Sequence, residues 1–516
     1  MVPFPISTAS TIFPAKILNY NSNFVSIKHK LITFLKRSSS IGHITQIHAQ
    51  VLVSGLLADP FLARELIRLC SLSSSTKCLS YARLMVEHAE VSAPSSWNIV
   101  IRGLASSDSW RDALRVYLGM RRGGVSPNEH SFPFVLKSCA ALSVLRQGRQ
   151  VHGEVCKFGV ESNVYVQNAL ISFYGSCKKI LNACKVFDGM SMRTVVSWNA
   201  VLTACIENLR LADGIGYFVE MRNCGFEPDE TTMVVVLSAC VELGNLSLGQ
   251  WVHSQVIERG MVLNCQLGTA LVDMYAKCGA VRCASFVFHQ MGERNVWTWS
   301  AMISGLAQHG FANEALQLFS NMMERTSVRP NYVTFLGVLC ACSHAGLVDE
   351  GYKYFHEMQY VHGIKPMMAH YGAMTDILGR AGRLREAYSF ITRMPIVADS
   401  VVWRTLLSAC NIHDVEDKSG LGSEVQKRLL ELEPRRGGNL IMVANMYAEA
   451  GMWEKAAKTR RDMKNKGVKK IAAESCVELG GSIYKFYSGN DSRDDYKDTF
   501  HMLDDLSLHM KMVNEL

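Results

Sequence analysis

The 516-residue chain has no run of 18 apolar residues, so no membrane-crossing helix is indicated. It carries 16 cysteines but no C-x-x-C, which weakens any reading as a zinc or thiol-redox protein. Neither G-x-x-x-x-G-K-[ST] nor H-E-x-x-H occurs, so the common phosphate-loop and zinc-peptidase motifs are missing. No segment alternates apolar and polar residues for long enough to argue for a sheet. No acidic residue precedes Asp59. Prolines number only 12, and 48% of residues are hydrophobic against 19% charged, enough apolar surface for a continuous core.

What the chain does have is a repeat. Trp97, Trp198 and Trp299 follow one another at intervals of 101 residues, each in a similar setting: SSWNIVIRGLA, VSWNAVLTACI and TWSAMISGLAQ. The interval divides into units of 35, 35 and 31 residues. First-type units hold the tryptophans and begin at Pro94, Val195 and Val296. Second-type units (FVLKSCAAL, VVLSACVEL, GVLCACSHAG) begin at Glu129, Glu230 and Tyr332. Third-type units (NALISFYGSC, TALVDMYAKCG, AMTDILGRAG) begin at Val164, Cys265 and Met368. Periods of this size belong to solenoids, whose units bury their apolar faces only against neighbours.

Each unit reads as two helices. The second carries Ala, an aromatic or aliphatic residue four positions on, and Met three further. The sets are Ala113, Tyr117, Met120; Ala183, Phe187, Met190; Ala284, Phe288, Met291; Ala315, Phe319, Met322; and Ala387, Ile391, Met394. That spacing places all three on one helix face. The fold expected is all-α, a right-handed superhelical α-solenoid of helix-turn-helix repeats.

The cysteines follow the repeat rather than a ligand pattern. Cys139, Cys240, Cys342 and Cys410 each stand eleventh in their unit, where a small apolar residue packs between helices. The triplets His88-Ala89-Glu90 and His152-Gly153-Glu154 match the H-x-E of zinc deaminases, but no P-C-x-x-C follows, and His152 recurs as His253 one period later. The sequence offers no catalytic constellation and implies no cofactor or metal.

Units such as VVSWNAVLTACIENLRLADGIGYFVEMRNCGFEPD strongly resemble pentatricopeptide repeats, and the 35/35/31 alternation resembles the plant organellar subclass with P, L and S repeats. The resemblance runs from about residue 41 onward. It implies degenerate first repeats over 41–93 and nine repeats over 94–399. It also implies that each repeat reads one RNA base through its fifth and last residues. Those pairs are Asn98 with Asn128, Asn168 with Thr194, Asn199 with Asp229, Thr269 with Asn295, Ser300 with Asn331, and Gly372 with Asp399. A helix cap or a turn would also favour Asn, Asp, Ser and Thr at such places. The second position, Ser95, Tyr165, Val196, Gln266 and Trp297, is where the family wedges a side chain between bases. Pro133, Val234 and Leu336 depart from the code. The implied 5′ to 3′ preference is pyrimidine, any, pyrimidine, U, any, A, A, any, any.

Residues 400–468 resemble the E motifs that close such arrays in RNA-editing specificity factors, and 469–516 resembles their E+ extension without the usual Pro-Gly and Trp. No DYW deaminase sequence follows within the 516 residues. Residues 1–40 hold five Lys or Arg and no acid, and look like a transit peptide, with the mitochondrion as the expected address and the chloroplast as the alternative. The net charge of +8 suits a phosphate-bearing partner. The resemblance therefore implies a non-enzymatic factor that binds single-stranded organellar RNA and recruits, in trans, a DYW-type deaminase with editing factors of the MORF type, away from any membrane. RNA stabilisation, splicing or translation, and a protein-binding scaffold, are the other readings left open.

Overall fold

The computed structural model describes residues 22–37, 41–56, 59–72, 76–88, 93–413, 420–468, 474–479 and 482–487. Contacts divide the chain into two compact units, Met1–Glu227 and Pro228–Leu516. Both are arrays of antiparallel helix pairs, 26 helices among the described residues. None is long and apolar enough to cross a membrane.

The local code for a pair repeats with the sequence. Several first helices start at a side-chain cap: the Asn163 carboxamide oxygen accepts from the amides of Tyr165 and Val166, Asn264 does the same for Cys265–Lys277 one period on, and Asn295 for Val296–Gln308 in the unit after that. Turns between the two helices use a left-handed residue, Gly310 (φ 81°) or, at the equivalent place one period earlier, Leu209 (φ 57°). The four residues missing from third-type units are missing from the second helix. Ile180–Asp188, Val281–Gln290 and Leu384–Thr392 have 9, 10 and 9 residues, against 13 for Leu211–Asn223 and 14 for Ala312–Arg325. One helical turn has been removed.

The expected core face is the observed one: Ala113, Met120, Ala183, Phe187, Ala284, Ala315 and Met322 have no solvent exposure. Cys139, Cys240, Cys342 and Cys410 are equally buried. Between third-type and first-type units the seam is aromatic. The Phe187 and Trp198 rings meet edge-on at 4.7 Å, Phe288 and Trp299 at 5.0 Å. Arg193 and Arg294 lie over the phenylalanines at 4.6 and 4.7 Å, and Arg294 Nε donates to the Phe288 carbonyl at 2.6 Å. Between second-type and third-type units the seam is a close approach. A Cβ added to Gly148 would lie 2.0 Å from Phe173, at Gly249 2.3 Å from Met274, and at Gly351 2.8 Å from Ile377. The same register position needs glycine three times.

Two elements lie outside the expected repeats. Glu474–Leu479 and Ser482–Tyr487 form an antiparallel hairpin with Leu479 opposite Ser482, although no sheet was expected. The strands are six residues long, too short for an alternation test, but the Gly480-Gly481 between them is a hairpin signal. The remainder of 469–516 lies outside the described residues. At the other end, Ser22–Arg37 is a helix packed on Ile41–Val53 and Pro60–Leu72, with Leu31 and Leu35 buried and Lys28 ion-paired to Asp59. The expected transit segment, 1–40, thus includes a helix that belongs to the packed array, while 1–21 and 38–40 lie outside the described residues.

Gly148→Ala is expected to lower the urea midpoint by the equivalent of about 1–3 kcal/mol, because Phe173 is fully buried and has nowhere to move. Gly153→Ala, on the same helix with nothing within 4 Å of its added Cβ, should raise stability by about 0.5–1 kcal/mol. Equal effects from the two substitutions would refute the close-approach account.

Candidate nucleic-acid interface

Where one unit ends and the next begins, polar side chains gather at the start of the first helix. At several boundaries the last residue of a unit is the side-chain cap of the next. Thr194 and Asn331 form reciprocal capping boxes with Ser197 and Thr334, Asp229 does so with Thr232, and the Asp399 carboxylate accepts from the amides of Val401 and Val402, both at 3.0 Å. Capping is therefore real at these positions. It engages one oxygen and leaves the other side-chain atom, Nδ2 of Asn295 and of Asn331, without a hydrogen bond to any described residue. Asp and Asn cap alike and differ in that second atom, an acceptor in one and a donor in the other.

The structure brings together some of the expected pairs. Asn98 Nδ2 donates to Asn128 Oδ1 at 2.9 Å, and Ser300 Oγ lies 3.3 Å from Asn331 Oδ1. Thr269 reaches Asn295 through Thr298: the two threonine hydroxyls are 2.7 Å apart, and Thr298 donates to Asn295 Oδ1 at 3.1 Å. No bond joins Asn168 to Thr194, and Asn168 Oδ1 is buried without a partner among the described residues. Asn199, 7% exposed, and Asp229 fall in different compact units. Gly372 contributes no side chain, and a Cβ there would touch Val402 at 3.9 Å.

Sequence reasoning overlooked the third residue of each unit. Ser96, Ser131, Ser197, Thr232, Thr298 and Thr334 fill it in all first-type and second-type units, none more than 2% exposed. Ser131 Oγ sits 2.6 Å from Asn98 Oδ1 and accepts from the Asn128 amide at 3.1 Å, while Thr334 Oγ1 sits 2.7 Å from Ser300 Oγ. The signal was present in S-W-N, S-W-N and T-W-S, next to the tryptophan that drew attention away from it.

Every second-position residue is exposed: Tyr165 by 77%, Val196 by 61%, Trp297 by 50%, with Ser95 and Gln266 alike. Trp299 fills the core and Trp297 stands outside it, its ring edge-on to Tyr332 at 6.4 Å. The histidine triplet at His152 is structural. His152 Nδ1 meets the Tyr174 hydroxyl at 2.8 Å and His253 Nδ1 meets Tyr275 at 2.9 Å, one period apart, and burial lowers both imidazole pKa values. His88 ends a helix, and residues 89 and 90 lie outside the described set. No group of three or more His, Cys, Asp or Glu among the described residues could hold a metal.

After the last repeat, Arg404 bridges Asn439 Oδ1 and Glu433, each at 2.9 Å, and Asn439 Nδ2 donates to Glu433 at 2.8 Å. Burial pushes the Glu433 carboxyl up, but donors from Asn439, Ser400 and Arg436 outweigh it and hold it at about 2. This staple ties the helix Ser400–His413 to Gly437–Glu449.

Helix pairs in this register, followed by two further pairs, define a helical-repeat protein with polar side chains at the unit boundaries. Profiles of the pentatricopeptide repeat match 94–141, 193–242, 269–296, 297–326, 333–360 and 369–395, and that of the E motif matches 417–478. The chain belongs to the pentatricopeptide repeat family. It is similar to the Arabidopsis thaliana pentatricopeptide repeat-containing protein At2g36730, 57% identical over 97% of this chain and 100% of the relative. At5g56310 of the same plant is 36% identical over 93% and 96%. The chloroplastic At1g11290, also from Arabidopsis thaliana, is 40% identical over 81% of this chain and 51% of the relative. The pentatricopeptide repeat protein PPR10 in complex with an 18-nt psaJ RNA element superposes with a TM-score of 0.64 at 16% identity, over 86% of this chain and 65% of that one, a likeness of fold.

The folded pKa values of His152 and His253 lie below that of free histidine. Their neutral rings therefore contribute stability that is present above about pH 6.5 and lost as pH falls through the folded values. The urea midpoint should drop between about pH 7.5 and 5.5, and should drop less in the His152→Gln, His253→Gln double variant. An identical drop in both proteins would show that these rings do not titrate with folding.

Proposed function

We propose that this protein binds a defined stretch of single-stranded RNA in a plant organelle and selects a cytidine for C-to-U editing, with the deaminase supplied by a partner protein. The observation that carries RNA binding is the recurring pair of polar side chains at the unit boundary. One member is fixed by capping, and the second donor or acceptor remains for a base edge. The PPR10 complex, by its title, holds an 18-nt RNA on a solenoid of the same fold. The exposed rings of Tyr165 and Trp297 are suited to stacking between bases. The E motif over 417–478 favours editing over RNA stabilisation, splicing or translation. The basic, acid-free start of the chain supports import, to mitochondria before plastids. Recruitment of a DYW-type deaminase and MORF-type factors through the E motif completes the reading.

Two measurements test it. With purified protein at fixed salt, Asn199→Ala should weaken binding to RNA bearing U at the fourth position by about fivefold, the worth of one hydrogen bond, and flatten preference there. In a plant lacking the gene, deep sequencing of organellar transcripts should show editing lost at a cytidine shortly 3′ of pyrimidine-x-pyrimidine-U-x-A-A. Editing intact everywhere, with altered transcript ends or retained introns, would assign the RNA binding to processing instead. Indifference of RNA binding to Asn199→Ala would favour a protein scaffold.

A further inference from the structure

The unit boundary contains a group that base reading by two residues leaves out. At three boundaries the fifth-position side chain meets the third residue of the following unit, Asn98 with Ser131, Thr269 with Thr298 and Ser300 with Thr334, and in the sequence the chemistry of the two positions is matched from unit to unit. Asn98 is followed by Ser131, Asn168 by Ser197, Asn199 by Thr232, Thr269 by Thr298 and Ser300 by Thr334. Where the fifth residue is apolar, Pro133 or Val234, the following third residue is Val166 or Leu267, both fully buried. Gly372 is followed by Val402, and only Leu336, followed by His370, breaks the rule. His370 is engaged elsewhere, on the Tyr332 carbonyl at 2.7 Å and the Met367 amide at 3.0 Å.

A carboxamide can turn over about its last bond, exchanging donor for acceptor at almost no steric cost. Which edge Asn98 shows to a base thus depends on what holds its other edge. Ser131 supplies that hold. Its hydroxyl accepts from the Asn128 amide at 3.1 Å, which leaves its proton for Asn98 Oδ1 at 2.6 Å. With Oδ1 so engaged, Nδ2 of Asn98 points at Asn128 Oδ1, 2.9 Å away, and its second N–H stays uncommitted, as does Nδ2 of Asn128. The pair then offers donors, matching the O2 carbonyl acceptor that cytosine and uracil share. At the Ser300 boundary the hold falls on the last residue: Thr334 Oγ1 donates to Asn331 Oδ1 at 3.0 Å and lies 2.7 Å from Ser300 Oγ, which also meets the Val296 carbonyl at 2.8 Å.

We propose that the buried hydroxyl at the third position of the following unit, Ser131 for the Asn98–Asn128 pair and Thr334 for Ser300–Asn331, is a positioning residue that sets which hydrogen-bonding edge the base reader presents. It touches no base. Its removal frees the reader to turn, and discrimination is lost at one base while the rest of the footprint is kept. The proposal rests on the RNA-binding reading above.

The test is selection from a random RNA pool by the full-length protein, with bound RNA sequenced for wild type, Ser131→Ala, Ser131→Thr, Thr334→Val and Thr334→Ser. Circular dichroism melts follow stability separately. Ser131→Ala is expected to reduce the preference at the base aligned with Asn98–Asn128 by about fivefold, the loss expected for one hydrogen bond, with preferences at the other bases unchanged. Thr334→Val should do the same at the base aligned with Ser300–Asn331, and the hydroxyl-retaining Ser131→Thr and Thr334→Ser should restore wild-type preferences. Preferences unchanged in Ser131→Ala and Thr334→Val, or weakened evenly across the footprint in step with a lower melting point, would overturn the positioning role while leaving RNA binding intact. No enrichment by the wild-type protein would overturn the RNA-binding reading itself, and this role with it.

Discussion

A pair of short helices cannot cover its own apolar face, and everything else in this chain follows from that constraint. The second helices carry Ala, an aromatic or aliphatic residue and Met on one stripe, and that stripe is dry only because the next pair lies on it. The seams are specialised by unit type: a ring-on-ring contact with an arginine above it where third-type meets first-type, and a glycine close approach where second-type meets third-type. Stacking in a fixed register also brings the fifth residue of one unit to the third residue of the next, at 2.6 to 2.7 Å in three places.

That register puts hydroxyls in a buried layer, where a polar group without a partner costs free energy comparable to a lost hydrogen bond. Here the hydroxyls are satisfied by the caps and by the neighbouring fifth residues. The arrangement separates two roles within single side chains. One atom of Asn331 closes a helix end and contributes about 1 kcal/mol of local stability, while the other has no structural duty. Sequence at the capping positions can therefore vary between Asn, Asp and Thr with little effect on the core. Stability lies in the apolar stripes, and the caps leave polar atoms over at the unit boundaries.

Much of this was legible without coordinates. The tryptophan interval, the 35/35/31 division, the Ala-aromatic-Met faces and the cysteines at position eleven each describe burial that the structure contains. Periodic apolar patterns are legible because helix geometry maps spacing onto a face. The hairpin at Glu474–Tyr487 escaped because six-residue strands give periodicity too little length to register. The stretch FVSIKHKLITFLKR reads as a basic amphipathic helix, and the helix Ser22–Arg37 is there, with Leu35 of its apolar face buried. The third-position hydroxyls escaped for another reason: a lone Ser or Thr beside a helix start has many ordinary uses, and nothing in one unit says which residue of the previous unit it will meet.

The sequence by itself determined the unit, the order of unit types and the polar character of the fifth and last positions, since these are properties of one helix pair read along its own chain. Only tertiary structure decided the partners of each polar group: that Asn98 is held by Ser131, that Asn168 Oδ1 is buried without one, and that Gly148 must yield space to Phe173. Those outcomes depend on distances between atoms about 25 to 35 residues apart, set to a few tenths of an ångström by how whole helix pairs settle against each other.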